Sequence, residues 1–449
     1  MATKNRGNFG SKFGIIAAAA GSAIGLGNIW RFPYVAGENG GGAFLLVYLM
    51  FVILIGVPLM LSEFVIGRHA QRNAYGAFKK IRPGTPWRLV GLMGIVAAFV
   101  ILSFYSTVAG WTLEYVSQSI SNGFSGKSPD QLGAMFELFK SQSWRAVFWQ
   151  GLFIVLSVVI VLAGVQKGIE KYAKLLMPLL LLLIIVLCVR AVTLPGAAQG
   201  LRFLFHPDFS KLSSSVVLEA LGQAFFSLSI GMGALITYGS YISKEDNLSS
   251  SALIVSFADT FIAILAGVAI FPAVFAFGIN PAEGPELVFI TLPNIFLRMP
   301  GGYFFAIIFF LLLSIAALTS SISILEVVVA YLVEELKMHR KGATWVAAIA
   351  SMCIGVLSTA SFGLLPVRMG GVPFFDILNY ASAKVLLPVG GLFIVLFIGW
   401  VMKREVVESE LSNQHKIKLP LFKVFRILVR FVAPVAIALV FLYGIGLIA

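Results

Sequence analysis

Charge is scarce in this sequence. Across 449 residues, Asp, Glu, Lys and Arg make up only 12%, against 59% hydrophobic residues and a mean hydropathy of +0.95. A chain so poor in charge cannot cover itself with a polar surface, which excludes an ordinary soluble domain. Alternation of apolar and polar residues at strand period is absent, which excludes a membrane barrel. There are two cysteines, Cys188 and Cys353, both inside apolar stretches. That excludes a disulfide scaffold; one bridge is arithmetically open, and two free thiols are the expected state. The four histidines, His69, His206, His339 and His415, fall in or beside loops without metal-ligand spacing. No G-x-x-x-x-G-K-[ST] motif occurs, so neither a metalloenzyme nor a nucleotide-driven pump is indicated.

What is present is a series of apolar runs, each long enough for the roughly 20 residues a bilayer core requires. Eleven spans begin near residues 13, 43, 88, 148, 172, 216, 248, 302, 343, 373 and 419. The net charge of +13 does not indicate nucleic acid, because the basic residues gather in alternate loops. Lys4, Arg6 and Lys12 precede span 1, and Arg68, Arg72, Lys79, Lys80, Arg82 and Arg88 separate spans 2 and 3. Lys167, Lys171 and Lys174 follow, then Lys337, Arg340 and Lys341, then Lys403, Arg404, Lys416 and Lys418. This asymmetry predicts a cytoplasmic N-terminus and, with an odd number of spans, an extracytoplasmic C-terminus in the plasma (inner) membrane. The stretch "LFKVFRILVRF" would open span 11 with basic residues that snorkel to the inner interface. Basic residues followed by "AAAAGSA" mimic a signal peptide, but the run continues into Asn28 and Arg31, so no cleavage is expected. No soluble domain is expected. The longest polar pieces are 121–147 and 278–301, the second holding "PELVFITLPNIF", read as a short helical hairpin across the outer face.

Span 1 contains "AIGLGNIWRFP", where Gly25, Gly27 and Asn28 spoil the helix and Arg31 brings a charge. Span 6 carries a matching interruption, "SLSIGMG" at 227–233. Such glycines also serve close helix packing. Two breaks at corresponding places, five spans apart, point instead to two inverted halves with a binding site at the midplane. Unwinding a helix in lipid frees backbone groups at several kcal/mol each unless something takes them up. Free carbonyls suit a cation and free N–H groups suit a carboxylate. A site with both is built for a zwitterion and an alkali cation.

The stretch "GSAIGLGNIWRFPYVAGENGGGAFLLVYL" strongly resembles the signature of the neurotransmitter:sodium symporter family, bacterial amino-acid branch. The likeness continues in "PLMLSEFVIGR", "FFSLSIGMGALITYGSY" and "LLSIAALTSSISILE", over nearly the whole chain. The resemblance implies an all-α polytopic fold of 5+5 inverted repeats with helices 1 and 6 broken. The expected organisation is an N-tail 1–12, a first repeat 13–195, a second 216–402 and helix 11 over 419–446. The family usually has twelve spans, and eleven match one bacterial group. Two sodium ions are implied. The first would use Ala23, Asn28, Ser227 and Asp259 with the substrate carboxylate, the second Gly21, Ile24 and Ala316 carbonyls with the Thr319 and Ser320 hydroxyls. Mid-helix hydroxyls also commonly bond back one turn, which is the other reading of Thr319 and Ser320. An acid at membrane depth is usually functional. Many members carry a neutral amide at the position of Asp259, so its carboxylate implies transport without chloride, with proton exchange on the return step as an option. A buried acid paired with a lysine is the other reading.

The resemblance also implies a substrate pocket. Gly25 stands where monoamine members carry an aspartate, leaving room for a carboxylate against Leu26 and Gly27, bound by Tyr105. Ala23, Ser227, Ser229 and Ser320 would border the site, and Ile101, Phe226, Met232 and Ile324 would line an apolar pocket for large hydrophobic amino acids. Such a pocket separates one methylene by only about 1–3 kcal/mol, so narrow selectivity is not expected. Arg31 would gate the outer side with Asp376, although Leu378 and Asn379 stand nearer the matching position. Arg6 with Glu334, beside Phe9 and Tyr241, would gate the inner side. Glu63 would steady the broken part of span 6, and Gly168 with Pro178 would let span 5 unwind. Lys384 and Glu326 receive no role. The expected function is sodium-coupled import of hydrophobic L-amino acids across a lipid bilayer, with no enzyme activity, no nucleic acid and no oligomeric state implied. A channel is disfavoured, since no filter or re-entrant motif occurs. A sodium-dependent sensor on the same fold would present the same residues, and net flux separates the two.

Overall fold

The first span, α1, begins where Ser11 accepts a hydrogen bond from the Gly14 N–H at 3.1 Å, satisfying one free donor of the first turn. In the computed structural model, which describes residues 9–281, 288–363 and 367–448, α1 consists of Lys12–Ala23 and Gly27–Glu38, bent by 49° at the gap. The chain then runs through α2 (Gly42–Ala70), α3 (Arg88–Ile120), α4 (Ser143–Leu162) and α5 (Val165–Val192). Helix α6 is again two pieces, Ser214–Ser227 and Ala234–Gly239. After it come α7 (Leu248–Ala276), α8 (Gly302–Glu334), α9 (Arg340–Ala360), α10 (Phe374–Val401) and α11 (Phe422–Gly444). Among the described residues nine helices are long and apolar enough to cross a membrane, and ten when the bent α1 pair counts as one; α6, in two shorter pieces, takes the remaining place in the order of eleven expected from the sequence. α3 and α8 are the most enclosed, while α5 and α11 turn most of their apolar surface outward, through residues such as Leu182, Val189, Phe431 and Val435. An outward-facing apolar girdle is what a lipid solvent requires.

The break in α6 has an identifiable cause. Ser229, Gly231 and Gly233 all adopt positive φ (52°, 88° and 74°), which a continuing helix cannot accommodate. The freed Gly231 N–H donates to Glu63 Oε1 at 2.7 Å, so a buried α2 carboxylate takes up a backbone donor the break exposes. A Cβ at Gly231 would lie 2.5 Å from the Leu387 carbonyl oxygen of α10. Gly231→Ala therefore meets both a left-handed backbone and a backbone atom that cannot swing aside. It is expected to cost at least about 1–2 kcal/mol, read as a lower thermal midpoint of the purified protein. An unchanged midpoint would show that the α6–α10 approach is loose.

The spans alternate in direction, so the bundle has an end where α1 starts and an opposite end. At the opposite end, Trp111 meets Phe136, Phe289 and Phe362 edge-on at 5.3–5.7 Å between centroids and stacks on Phe375. This aromatic plug joins α3 to the helix Pro129–Ser141 and the chain before Thr291–Arg298. The described part of the expected outer hairpin is that second helix; residues 282–287 lie outside the described residues. An antiparallel pair, Arg368–Met369 with Val372–Pro373, leads into α10.

At the end where α1 starts, the connection between α10 and α11 folds into the helix Arg404–Leu411 and is locked to α2. Buried Arg68 donates from Nε to Glu410 Oε2 at 2.9 Å and from Nη1 to the Asp246 carbonyl at 2.6 Å. Lys244 Nζ and His69 Nδ1 stand 2.5 and 3.1 Å from Glu410 Oε1. Burial raises the Glu410 pKa, but the hydrogen bonds from His69 and Lys244 and the charges of Lys244 and Arg68 outweigh it, holding it down at about 2. A folded pKa below the unfolded one stabilises above the unfolded value, and that contribution fades as pH falls towards 2. Glu410→Gln should thus lower the thermal midpoint at pH 7, by about 2 kcal/mol of charge-assisted bonding. The gap to wild type should close between pH 5 and 2. A gap independent of pH would assign the effect to packing.

Candidate functional site

The two breaks lie side by side, and polar groups bridge them. At the end of the first half of α1 the Ile24 N–H still bonds to the Ala20 carbonyl at 2.7 Å, and then the ladder stops. Asn28 turns inward. Its Oδ1 accepts from the Gly25 N–H at 3.0 Å, while its Nδ2 donates to Ser227 Oγ (3.0 Å), Asp259 Oδ1 (2.7 Å) and the Asp259 carbonyl (3.0 Å). Ser227 Oγ donates to Asp259 Oδ2 at 2.7 Å and accepts from Tyr48 at 3.2 Å. Asn28, Ser227 and Asp259 are wholly buried, and Ala23 is buried beside them. The structure thus joins the ends of both broken helices to an α7 acid, and among the described residues no lysine is bonded to its carboxylate.

A second set of oxygens gathers between α1 and α8. Ser320 Oγ lies 3.4, 3.2 and 3.3 Å from the Gly21, Ser22 and Ile24 carbonyls. Thr319 Oγ1 lies 3.0 Å from the Ala316 carbonyl and 3.5 Å from that of Ile24. Thr319 also reaches the Ile315 carbonyl one turn back at 3.2 Å, as an ordinary mid-helix hydroxyl does. What separates this pair from that ordinary case is the convergence of carbonyls from another helix. Ser229 Oγ donates to the Ser22 carbonyl at 2.9 Å, tying the α6 break to the same strip. Neutral carbonyl and hydroxyl oxygens at such density suit a hard monovalent cation.

Between the two sets, Tyr105 stands 3.3 Å from the Leu26 N–H. A Cβ on Gly25 would lie 2.3 Å from Ser320 Oγ and 3.1 Å from the Tyr105 hydroxyl oxygen, and one on Gly27 would meet the Phe226 ring at 3.0 Å. Glycine is required here by close approach. Ile101, Met232 and Ile324 are buried on α3, in the α6 break and on α8, and Phe226 is half-buried.

The partners of Arg31 differ from the expected Asp376. Arg31 donates from Nη1 to Gln223 Oε1, stands 3.8 Å from Glu219 Oε2, and lies over the Phe226 ring at 5.0 Å. Asp376 is exposed in the first turn of α10, whereas Glu219 and Gln223 sit one turn apart on the half-helix packed against α1. α10 contributes a cation instead: Lys384 Nζ is 2.9 Å from Glu219 Oε1. Gln223 also donates to the Gly27 carbonyl at 2.9 Å. Sequence reasoning missed Tyr48, Glu219 and Gln223. Two polar residues four apart in an apolar half-helix were the available signal.

At the other end, Phe9 donates its N–H to the Tyr241 carbonyl at 3.3 Å and packs edge-on against Tyr238 and Tyr241. Tyr241 donates to Glu326 Oε1 at 2.8 Å, and Glu326, wholly buried, pairs with Arg340 at 2.6 Å. Arg340 also donates to the Val161 carbonyl at 3.0 Å, so Glu326 joins α8, α9, α4 and the end of α6. Arg6 lies outside the described residues. Its expected partner Glu334 accepts from Asn73 N–H and Nδ2, both at 2.9 Å. α5 opens on Gly164 (φ 89°) with wide π turns over Val165–Glu170, and Pro178 lies inside a continuous helix. Glu170 accepts from the Gly10 N–H at 2.6 Å and from Ser11 Oγ at 3.1 Å, tying that irregular start to the beginning of α1.

Comparison with known proteins agrees with this arrangement. The model of the Sodium:neurotransmitter symporter family matches residues 6–131 and 140–448. "Uncharacterized sodium-dependent transporter YhdH" of Bacillus subtilis (strain 168) is 42% identical over 440 residues, covering 98% of each chain. "Sodium- and chloride-dependent GABA transporter 2" of Homo sapiens is 30% identical over 454 residues, 89% of this chain and 73% of that protein. The crystal structure of MhsT in complex with L-phenylalanine superimposes with a TM-score of 0.91 at 47% identity, covering 98% of this chain and 100% of MhsT. The fold is accordingly the 5+5 inverted-repeat transporter fold, with α1 and α6 as its broken pair, and these relatives are transporters rather than enzymes. From the matched motifs and the shared fold together it follows that this chain belongs to the sodium:neurotransmitter symporter family, as a sodium-dependent, multi-pass membrane transporter.

Proposed function

We propose that the chain imports hydrophobic L-amino acids, aliphatic and aromatic, with two sodium ions and without chloride, by alternating access. One observation carries this reading: a wholly buried carboxylate, Asp259, bonded to Asn28 and Ser227 where the two broken helices meet. A cation held there has its counter-charge supplied by the protein, so a bound anion is not required. The carbonyls and hydroxyls around Thr319 and Ser320 provide for the second ion. The amino-acid carboxylate is assigned to Tyr105 and the Leu26 and Gly27 N–H groups, its side chain to Ile101, Phe226, Met232 and Ile324. L-phenylalanine in MhsT is of the same chemical class. Basic residues at the end where α1 starts favour a cytoplasmic N-terminus and an extracytoplasmic C-terminus. Repeats 13–195 and 216–402 would rock about the site, closed outside by Arg31 with Gln223 and Glu219 and inside by the Phe9–Tyr241–Glu326–Arg340 contacts.

The energetics suffice. Two sodium ions crossing about 100 mV release roughly 4.6 kcal/mol, and a tenfold sodium gradient adds about 1.4 kcal/mol per ion. Roughly 7 kcal/mol supports about a 10⁵-fold gradient of a neutral zwitterion. The test is uptake of labelled leucine and tryptophan into proteoliposomes under an imposed sodium gradient, with chloride replaced by gluconate. Accumulation that survives the replacement is the expected result. Sodium-dependent binding without accumulation would favour a sensor, and accumulation lost with chloride would remove the role given to Asp259.

A further inference from the structure

At the end where α1 starts, a cavity of about 240 Å³ opens between the last turn of α2, the helix Ala74–Ile81 and the junction of α10 with Arg404–Leu411. Its lining divides by chemistry. Ala70, Ile81, Val401, Met402 and Val406 form an apolar floor, and Lys80, Arg82 and Lys403 form a cationic rim with His69 at the edge. No carboxylate is among its lining residues. Two of the cations are held in place: Lys80 Nζ donates to the Ala70 carbonyl at 3.0 Å and Arg82 Nη2 to the Val401 carbonyl at 2.7 Å. Those carbonyls belong to the last turns of α2 and α10, where no helical partner remains for them and where a cation is favoured. An ammonium has three donors and a guanidinium five, so both keep N–H groups for a further acceptor. Glu410 stands 3.1 Å from His69 Nδ1 at the edge of the cavity but is bound by Arg68 and Lys244.

The depth of the cavity narrows what fits it. Ala70 and Val401 end membrane-length helices, so the rim stands where hydrocarbon gives way to water. Phe393 and Trp400, seven residues apart, are both exposed on α10, and an indole at such a boundary marks the interface. An occupant there meets cations at the rim and apolar surface below it.

We propose that this cavity binds the headgroup of an anionic phospholipid, its phosphate between Lys80, Arg82 and Lys403 and its acyl chains along the outward face of α10. The site is separate from the transport path. It is tested on the purified full chain in detergent, by counting bound lipid with native mass spectrometry during titration with dioleoylphosphatidylglycerol, dioleoylphosphatidylcholine or inorganic phosphate. One phosphatidylglycerol is expected to bind at least tenfold more tightly than phosphatidylcholine. K80Q/R82Q/K403Q should weaken it at least tenfold, whereas K341Q/K416Q/K418Q, which removes the same charge from elsewhere on this end, should not. Lys403 is exposed, so K403Q alone should fold normally and still weaken binding several-fold. Equal loss in both triple variants, or equal affinity for phosphatidylcholine, would overturn the site. Displacement of the lipid by millimolar inorganic phosphate would overturn the lipid as its occupant.

Discussion

Asp259→Asn is expected to raise the sodium concentration for half-maximal amino-acid binding by about a hundredfold, with or without chloride. The carboxylate accepts two hydrogen bonds of 2.7 Å, from Asn28 Nδ2 and Ser227 Oγ, in a place no solvent reaches. Hydrogen bonds to an ionised group contribute about 1.5–3 kcal/mol each. An asparagine keeps one acceptor and turns the other into a donor. Ser227 Oγ already receives donors from Asn28 and Tyr48, so an amide there leaves too many donors for one hydroxyl. The missing negative charge also leaves a cation at this junction without its counter-charge. A loss of about 3 kcal/mol corresponds to the hundredfold shift. Sodium-dependent binding of labelled phenylalanine, titrated in sodium at fixed ionic strength, measures it. An unchanged sodium midpoint would mean that the acid only braces Asn28 and Ser227, and the first sodium site would have to move elsewhere.

The broken helices were legible in the sequence because backbone demands leave a compositional trace. Gly25, Gly27, Gly231 and Gly233 interrupt apolar runs at places where polar side chains or a ligand must take up the freed groups. Asn28 stood out as a poor helix former within the same break, and Asp259 as an acid too costly to bury idly. Charge pairing between helices was less legible. Arg31 has acids within sequence reach on several spans, and choosing among Asp376, Glu219 and others depends on helix rotation, which a motif does not record. The pairing of Lys384 with Glu219 reverses the sign expected on α10. Glu326 found its partners, Tyr241 and Arg340, in a loop-proximal corner where three helices end together. Periodicity specifies the buried face of each span but not which neighbour's charge it meets.

The second large effect belongs to a single methyl group. Gly25→Ala is expected to weaken sodium-dependent amino-acid binding by about 10–100-fold while leaving the fold intact, because the added carbon has nowhere to go. It would stand 2.3 Å from Ser320 Oγ, and 3.1 Å from both Ser320 Cβ and the Tyr105 hydroxyl oxygen. Ser320 Oγ is the short end of a short side chain. Moving it means leaving the Gly21, Ser22 and Ile24 carbonyls, the oxygens assigned to the second sodium. Tyr105 would be driven from the Leu26 N–H, where the substrate carboxylate is assigned. Overpacking of this kind costs about 1–3 kcal/mol, and here the cost falls on the ligand-binding groups rather than on the core. Gly222→Ala, in the first piece of α6, is the control, since its Cβ would meet nothing within 4 Å and alanine favours the helix by about 1 kcal/mol. Measuring both variants for thermal midpoint and for sodium-dependent phenylalanine binding separates the explanations. A Gly25→Ala protein that melts with wild-type and binds poorly supports the pocket, because the methyl then acts through Ser320 and Tyr105, the groups assigned to ion and substrate. If the variant binds as wild-type does, the carboxylate is not seated between Gly25 and Tyr105, and the substrate lies farther along the α6 break.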